Sequence, residues 1–75
     1  MLDFDWDEGK AESNLAKHNL SFEDVTQAFE NPYLAKKDDR RDYGEDRFVM
    51  LGQVDGRTVV IAYTNRDGRI RLISA

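Results

Sequence analysis

The chain has 75 residues, of which 40% are hydrophobic and 35% are charged, with a net charge of −4 and no cysteine. This length suits a single domain, and so short a chain buries only roughly 60% of its unfolded surface, so we expect marginal stability. The lack of cysteine excludes disulfides, thiol chemistry and cysteine-bound metals. The N-terminus does not resemble a signal peptide, and the longest apolar run, Val59–Tyr63, is too short to cross a bilayer. We therefore expect a cytoplasmic protein without a membrane partner.

The charge is distributed unevenly along the chain. Residues 1–30 carry a net charge of −6, whereas residues 31–75 carry +2 and hold all seven arginines. Arginine suits planar, bidentate contacts with phosphate, so the second part can hold one local phosphate site. The acidic balance of the whole chain argues against a general nucleic-acid coat. The alternative is that these arginines only solubilise strand surfaces, and composition alone favours that alternative.

The first residues predict a short strand and a helix. Phe4-Asp5-Trp6 is typical of a strand or an arm. Residues 8–18 fit a helix that Asp5 or Asp7 caps, with Ala11 and Leu15 on its inner face.

A second helix is predicted after Ser21, which is a suitable N-terminal cap, and Asn31-Pro32 ends it. Apolar residues recur along this segment at the spacing of a buried helix face. They are Phe22, Val25, Ala28 and Phe29. We therefore expect this helix to contribute to the core.

The remaining residues predict four antiparallel strands. We expect them at Tyr33–Lys36, Arg47–Val54, Arg57–Thr64 and Arg69–Ser74, with a charged loop at residues 38–46. The dipeptides Asp55-Gly56 and Asp67-Gly68 are strong hairpin signals between the last three strands. The predicted fold class is therefore α+β, with two N-terminal helices packed on one face of a small antiparallel sheet.

Two-residue hairpins predict which strand residues face each other: Arg47 faces Thr64, and Thr64 faces Arg71. Because side chains alternate across a sheet, the residues sort onto two faces. The predicted core face holds Phe48, Met50, Val54, Val59, Ile61, Tyr63, Ile70 and Leu72. The other face holds Arg47, Thr64, Arg66, Arg69 and Arg71 at one end, followed by Val49, Leu51, Val60, Ala62 and Ile73.

This second face suggests two properties. Four arginines from three strands converge at one end, which is a plausible phosphate site. The apolar residues beyond them form a patch that the helices do not cover, and such patches usually mark a partner surface or a missing element. The alternative is that the arginine stems simply lie over the apolar patch. The strand register supports the functional interpretation and this alternative about equally.

Motifs along nearly the whole chain, in order and at matching spacing, resemble the BrnT toxin family. They are Phe4-x-Trp6-Asp7-x-x-Lys10, Asn14-x-x-Lys17-His18, Ser21-Phe22, Ala28-Phe29-x-Asn31-Pro32, Gly44-Glu45-x-Arg47, Gly52, Tyr63-Thr64-x-Arg66 and Arg69-Ile70-Arg71-x-Ile73-Ser74-Ala75. The resemblance implies a RelE/ParE-like fold and a bacterial ribonuclease toxin. It also implies a partner, a BrnA-like ribbon-helix-helix antitoxin that holds the toxin inactive.

The sequence departs from the family at its C-terminal end. Family members usually continue after the Ile-Ser-Ala motif with an Arg- and Lys-rich helical segment, whereas this sequence ends at Ala75. We therefore expect one RelE-like toxin domain, residues 1–75, that lacks the segment. This departure would leave the apolar sheet face bare and the RNA site less basic.

Cleavage of RNA without a metal requires three groups. A base deprotonates the 2′-hydroxyl, cations neutralise the developing phosphorane, and an acid protonates the leaving oxygen. Arg47, Arg66 and Arg71 are the candidates for charge stabilisation. Glu45, just before Arg47, is the candidate general base, and a plain surface charge is the equally weighted alternative. No calcium-loop spacing or phosphate-binding glycine motif is present, so we expect neither metal nor cofactor.

Five further residues are candidates with a structural alternative. His18 is the only histidine, and histidine commonly exchanges protons near neutral pH, yet it also suits the end of a helix. Lys17 is a candidate to contact phosphate, and a solvated helix residue is the commoner alternative. Arg69, at the turn, is a candidate to steer RNA, and Thr64 can bond a phosphate oxygen. Tyr63 lies on the core face by parity, so packing is its first interpretation, and RNA binding by its hydroxyl at the edge of the site is the second.

We therefore predict an endoribonuclease toxin. The rival interpretation is a non-catalytic subunit that uses the arginine and apolar face to bind an antitoxin or to form a homodimer. The expected C-terminal departure and the lack of a strong acid–base pair favour the rival.

Overall fold

The computed structural model describes residues 2–75. Its elements, in chain order, are β1 (Phe4–Trp6), α1 (Glu8–His18), α2 (Phe22–Val25), a 3₁₀ helix η1 (Thr26–Glu30), β2 (Leu34–Asp38), β3 (Arg47–Val54), β4 (Arg57–Arg66) and β5 (Arg69–Ser74). The α+β class is confirmed. No helix of the described residues is long and apolar enough to cross a membrane.

Helix α1 covers the predicted residues, and Asp7 is the cap. The Asp7 carboxylate accepts a hydrogen bond from the Lys10 backbone N–H at 2.9 Å, which satisfies a free donor of the first turn. The prediction that Leu15 lies on the inner face is wrong, since Leu15 is 48% exposed. The buried residue is Asn14, whose amide donates to the Leu20 carbonyl and accepts from the Ala75 N–H, so α1 is joined to the chain end by polar contacts.

The second helix differs from the prediction. Four residues are α-helical, and the chain then tightens into the 3₁₀ helix η1. The Thr26 hydroxyl donates to the Glu23 carbonyl at 2.7 Å, an alternative hydrogen bond of the kind that competes with a regular helix. The expected apolar face is nonetheless buried: Phe22, Val25, Ala28 and Phe29 all belong to the core.

The sheet has the order β1-β5-β4-β3-β2 and is mixed. The prediction of an antiparallel sheet is therefore wrong for one strand, because β1 pairs parallel with β5, with Asp5 opposite Arg71. The other four strands are antiparallel, as predicted. The hairpin registers are confirmed, since Arg47 lies opposite Thr64 and Thr64 lies opposite Arg71. The first predicted strand of the meander is shifted and runs from Leu34 to Asp38.

The helices cover one sheet face, and the other face is open. Met50, Val54, Val59, Ile61, Tyr63 and Leu72 are buried against them, and Phe48 and Ile70 pack at the margin. On the open face Val60 is 57% exposed and Leu34, at the β2 edge, is 75% exposed. The core and open faces therefore follow the predicted alternation, except at the end of β5. There the register shifts between Ala62 and Tyr63, so Ser74 lies opposite Ala62 and the strict alternation predicted around Ile73 is wrong.

We expect Gly52→Ala to destabilise the fold by about 1–3 kcal/mol, the usual cost of overpacking. A Cβ at this position would lie 2.8 Å from the Ala28 Cβ and 2.9 Å from the Met50 Cε, so η1 would have to move off β3. Urea unfolding measures the change. Gly9→Ala is the matched control, because it lies in α1, where alanine is the better helix former. Equal stability of the two variants would contradict this account of the packing.

Candidate functional site

An open pocket of ≈ 300 Å³ lies at one end of the uncovered sheet face. Five candidates from the sequence line it, namely Arg47, Arg66, Arg71, Glu45 and Thr64, together with Asp7 and Lys10. Arg47, Thr64 and Arg71 form a row across three neighbouring strands, because each faces the next in the ladder. Hairpin register thus brings together side chains that are well separated in the sequence.

Glu45 joins two of the arginines. Its Oε1 accepts from the Arg66 Nη2 at 2.7 Å, and its Oε2 accepts from the Arg47 Nε at 3.4 Å. The Arg66 hydrogen bond holds the pKa of the Glu45 carboxyl below its usual range, and Arg47 lowers it further. The same contact raises the pKa of Arg66. Glu45 is therefore ionised at neutral pH and offsets the repulsion between the two guanidinium groups.

Arg71 has a separate carboxylate partner, Asp5, which no sequence pattern indicates. Its Nη1 donates to the Asp5 Oδ2 at 2.6 Å, and this contact holds the pKa of Asp5 below its usual range. The pair depends on the parallel pairing of β1 with β5, which the chain pattern did not predict. Lys10 was likewise not assigned to the site, although it belongs to the first motif of the resemblance.

The loop before β3 is held by several contacts, which position Glu45. The Thr64 hydroxyl donates to the Asp46 carbonyl, and the Lys37 ammonium lies 3.1 Å from the Asp46 carboxylate. The Tyr43 ring lies 4.3 Å from the Arg47 guanidinium carbon, a favourable cation–π distance. Thr64 is buried and already engaged with the backbone, so its observed contact is structural.

The structure does not bring the remaining candidates into this pocket. His18 lines a different pocket with Arg57 and Val59. Arg57 lies at the opposite end of β4 from the arginine pocket, about 23 Å from Thr64 by the rise of a strand. Lys17 is exposed near the end of α1. Arg69 donates to the Phe4 carbonyl at 3.3 Å and thereby joins β5 to β1.

Tyr63 belongs to the core. Its ring stacks on Phe48 and contacts Phe29 edge-to-face, and burial raises the pKa of its hydroxyl. The packing interpretation of Tyr63 is therefore the one that its contacts support.

We expect Asp5→Asn to destabilise the protein at neutral pH and to lose this effect in acid. Because the folded-state pKa of Asp5 lies below its unfolded value, the stability that Asp5 contributes is complete above about pH 5 and is lost as pH falls through the folded pKa. Urea unfolding at several pH values tests this. Asp3→Asn is the control, because Asp3 has no ion pair among residues 2–75. A constant difference between Asp5→Asn and the wild type at every pH would contradict the assignment.

We expect His18→Ala to change RNA cleavage by less than about threefold, the usual range for a surface change outside a site. His18 lines a separate pocket at the other end of the sheet, so it is out of reach of a phosphate held by the arginines. Single-turnover cleavage measures the effect. A loss of 100-fold or more would restore the catalytic role that the sequence suggested.

Comparisons with known proteins identify the family of this chain. The family model described as "Ribonuclease toxin, BrnT, of type II toxin-antitoxin system" matches residues 6–75. The crystal structure of the Brucella abortus ribonuclease toxin BrnT is similar, with a TM-score of 0.72 and 26% identity over 99% of this chain and 92% of that chain. No curated protein sequence matches the chain significantly. On the family match, which spans nearly the whole chain, this protein belongs to the BrnT family of ribonuclease toxins of type II toxin–antitoxin systems.

Proposed function

We propose that the chain is a metal-independent endoribonuclease whose active site is the arginine pocket. The observation that carries the proposal is the convergence of Arg47, Arg66 and Arg71, from three adjacent strands, on one open pocket. Guanidinium groups bind phosphate oxygens in a bidentate manner and keep their charge at any physiological pH. Family membership supports ribonuclease chemistry, and the three converging arginines support the assignment of this pocket as the place of the reaction.

In the proposed reaction, Glu45 accepts the proton of the 2′-hydroxyl, and the 2′-oxygen attacks the neighbouring phosphorus. The bond from phosphorus to the 5′-oxygen breaks, the 5′-oxygen takes up a proton from solvent water, and a 2′,3′-cyclic phosphate remains. The arginines neutralise the extra charge on the phosphorane, where preorganised donors contribute most. Lys10, on the first turn of α1, adds a further positive charge to the pocket wall.

The partner of this chain is an antitoxin, as for any type II toxin. We propose that it is a BrnA-like ribbon-helix-helix protein and that the complex forms in the cytoplasm, where the RNA substrate is available. The RelE-like classification of the fold belongs to the same proposal, since it derives from the resemblance.

A second candidate function is a non-catalytic subunit that binds an antitoxin or forms a homodimer. The open apolar part of the sheet, with Val60 57% exposed and Leu34 75% exposed, favours it. Such patches on small proteins usually mark contact surfaces. Catalysis leaves cleaved RNA ends and binding alone does not, so an RNA cleavage assay distinguishes the two functions.

The test is incubation of the folded protein with end-labelled RNA in EDTA, beside an Arg47→Ala/Arg71→Ala double variant. We expect the wild type alone to cleave and to leave cyclic-phosphate ends. Cleavage that requires added metal would contradict the chemistry. The absence of any cleavage by folded protein would favour the binding subunit.

A further inference from the structure

A second pocket, of ≈ 350 Å³, lies on the open sheet face next to the arginine pocket. Its apolar lining residues are Val49, Val60 and Ala62. Its polar walls are formed by Lys36, Lys37, Asp38, Asp39, Arg40 and Ser74. Val49 is two residues beyond Arg47 on β3, so the two residues share a sheet face and lie about 7 Å apart along the strand. The two pockets are therefore neighbours on one continuous surface.

Arg40 is held in a fixed orientation at the wall of this second pocket. Its Nε donates to the Asp38 Oδ1 at 2.8 Å, and its Nη2 donates to the Asp38 Oδ2 at 2.9 Å. The Asp38 side chain is only 6% exposed, whereas that of Arg40 is 78% exposed. The Tyr43 hydroxyl also donates to Asp38, at 3.0 Å. A buried carboxylate needs such partners, and here it fixes the plane of an otherwise exposed guanidinium.

These contacts leave Arg40 available to a ligand. Two of its nitrogens are bound on one edge, while the faces of the guanidinium plane are not occupied by an aromatic ring among residues 2–75. The hydrogen bonds from Arg40 also hold the pKa of the Asp38 carboxyl well below its usual range, so this ion pair persists at any physiological pH. The result is a planar cation beside an apolar surface.

We propose that this second pocket binds the unpaired base of the nucleotide next to the cleaved phosphodiester. The base lies on the apolar surface of Val49, Val60 and Ala62 and stacks on the guanidinium plane of Arg40, as unpaired RNA bases do on arginine planes. Lys36 is placed to contact the neighbouring phosphate. This inference rests on the proposed function, since it takes the arginine pocket as the site of the cleaved phosphate.

Charge and size favour RNA over a protein as the occupant. The pocket is lined by three cations, Lys36, Lys37 and Arg40, and by two carboxylates, Asp38 and Asp39. One net positive charge therefore continues the charge of the arginine row along the same face, which complements a phosphate backbone. The volume is at the lower end of the range for small-molecule sites, which suits a single base. The apolar residues further along, Leu34 and Leu51, do not line this pocket and are not needed for this contact.

The test uses short chimeric oligonucleotides that contain a single ribonucleotide, with either a normal base or an abasic residue on each side of it. Cleavage is measured on these strands. Binding is measured by anisotropy on matching strands with a 2′-O-methyl group, which cannot be cleaved. We expect the wild type to prefer the strand with the base, on one side only, by about 10-fold, in line with the usual loss per stacked base.

Three variants test which residues carry this preference. Arg40→Lys keeps the positive charge and the Asp38 partner but removes the guanidinium plane. We therefore expect this variant to lose most of the preference for the base-bearing strand. Val60→Glu places a carboxylate on the apolar surface at an exposed position and should also lose it. Arg41→Ala removes a neighbouring arginine that does not line the pocket, so it should behave as the wild type.

The outcomes separate the two proposals. Loss of the preference in Arg40→Lys and Val60→Glu, with normal unfolding curves, supports the subsite. Equal binding of base-bearing and abasic strands by the wild type would overturn the subsite proposal. Retention of the preference by both variants would overturn it as well, and either outcome would favour a protein partner on this surface. The binding arm decides this even if no strand is cleaved, and the absence of cleavage by itself contradicts only the proposed function.

Discussion

Arg71→Ala is expected to lower kcat/KM for RNA cleavage by about 10²–10³-fold, the usual loss when one preorganised donor to a developing oxyanion is removed. Arg71 lies at the end of the row that begins with Arg47, and its guanidinium is oriented by Asp5 at 2.6 Å. Its charge therefore meets the phosphate in a defined direction. Arg47→Ala and Arg66→Ala should show losses of similar size. Single-turnover cleavage of a defined RNA measures each effect.

The matched control for these arginines is Arg57→Ala. Arg57 is an exposed arginine of β4 at the other end of the same sheet, where it lines the pocket that contains His18. Arg57→Ala removes the same net charge as Arg71→Ala without altering the arginine pocket, so we expect kcat/KM to fall by less than about threefold. If Arg57→Ala and Arg71→Ala were equally impaired, the loss would reflect general electrostatic attraction of RNA, and the assigned site would be wrong.

The second large effect is expected for Glu45→Gln, which should lower kcat by about 10²-fold or more, the usual contribution of a general base. The amide keeps the shape of the side chain but cannot take up the proton of the 2′-hydroxyl. In the wild type, activity should fall as pH drops through the pKa of Glu45, which its two arginine partners hold below the usual range. This acidic limb should disappear from the pH–rate profile of the variant.

Binding of 2′-O-methyl RNA separates proton transfer from the positioning of the arginines. Such RNA has no 2′-hydroxyl to deprotonate. If Glu45 acts only as the general base, Glu45→Gln should therefore bind this RNA with an affinity within about threefold of the wild type. A parallel loss of affinity and of kcat would instead mean that Glu45 acts through Arg47 and Arg66, which it bridges. Full activity of Glu45→Gln would contradict both roles.

The sequence was most informative where the determining interactions are local. Asp55-Gly56 and Asp67-Gly68 close two-residue hairpins with positive φ at all four residues, so the pairing of Arg47, Thr64 and Arg71 follows from the chain pattern. Side-chain alternation then assigns the core face and the open face. The helix α1 also follows from a local signal, since Asp7 caps its first turn. These features explain why most of the arginine pocket could be predicted.

Tertiary packing decided the features that join distant parts of the chain. Only the parallel pairing of β1 with β5 places Asp5 beside Arg71, 66 residues later, and no local pattern indicates such a pairing. The direction of α1 brings Lys10 to the arginine pocket and carries His18 to the opposite end of the sheet. The sequence therefore determined which residues share a sheet face, because alternation and tight turns act over a few residues. Long-range strand pairing and helix docking decided which of these residues share a pocket, because both are set by the packing of the whole core.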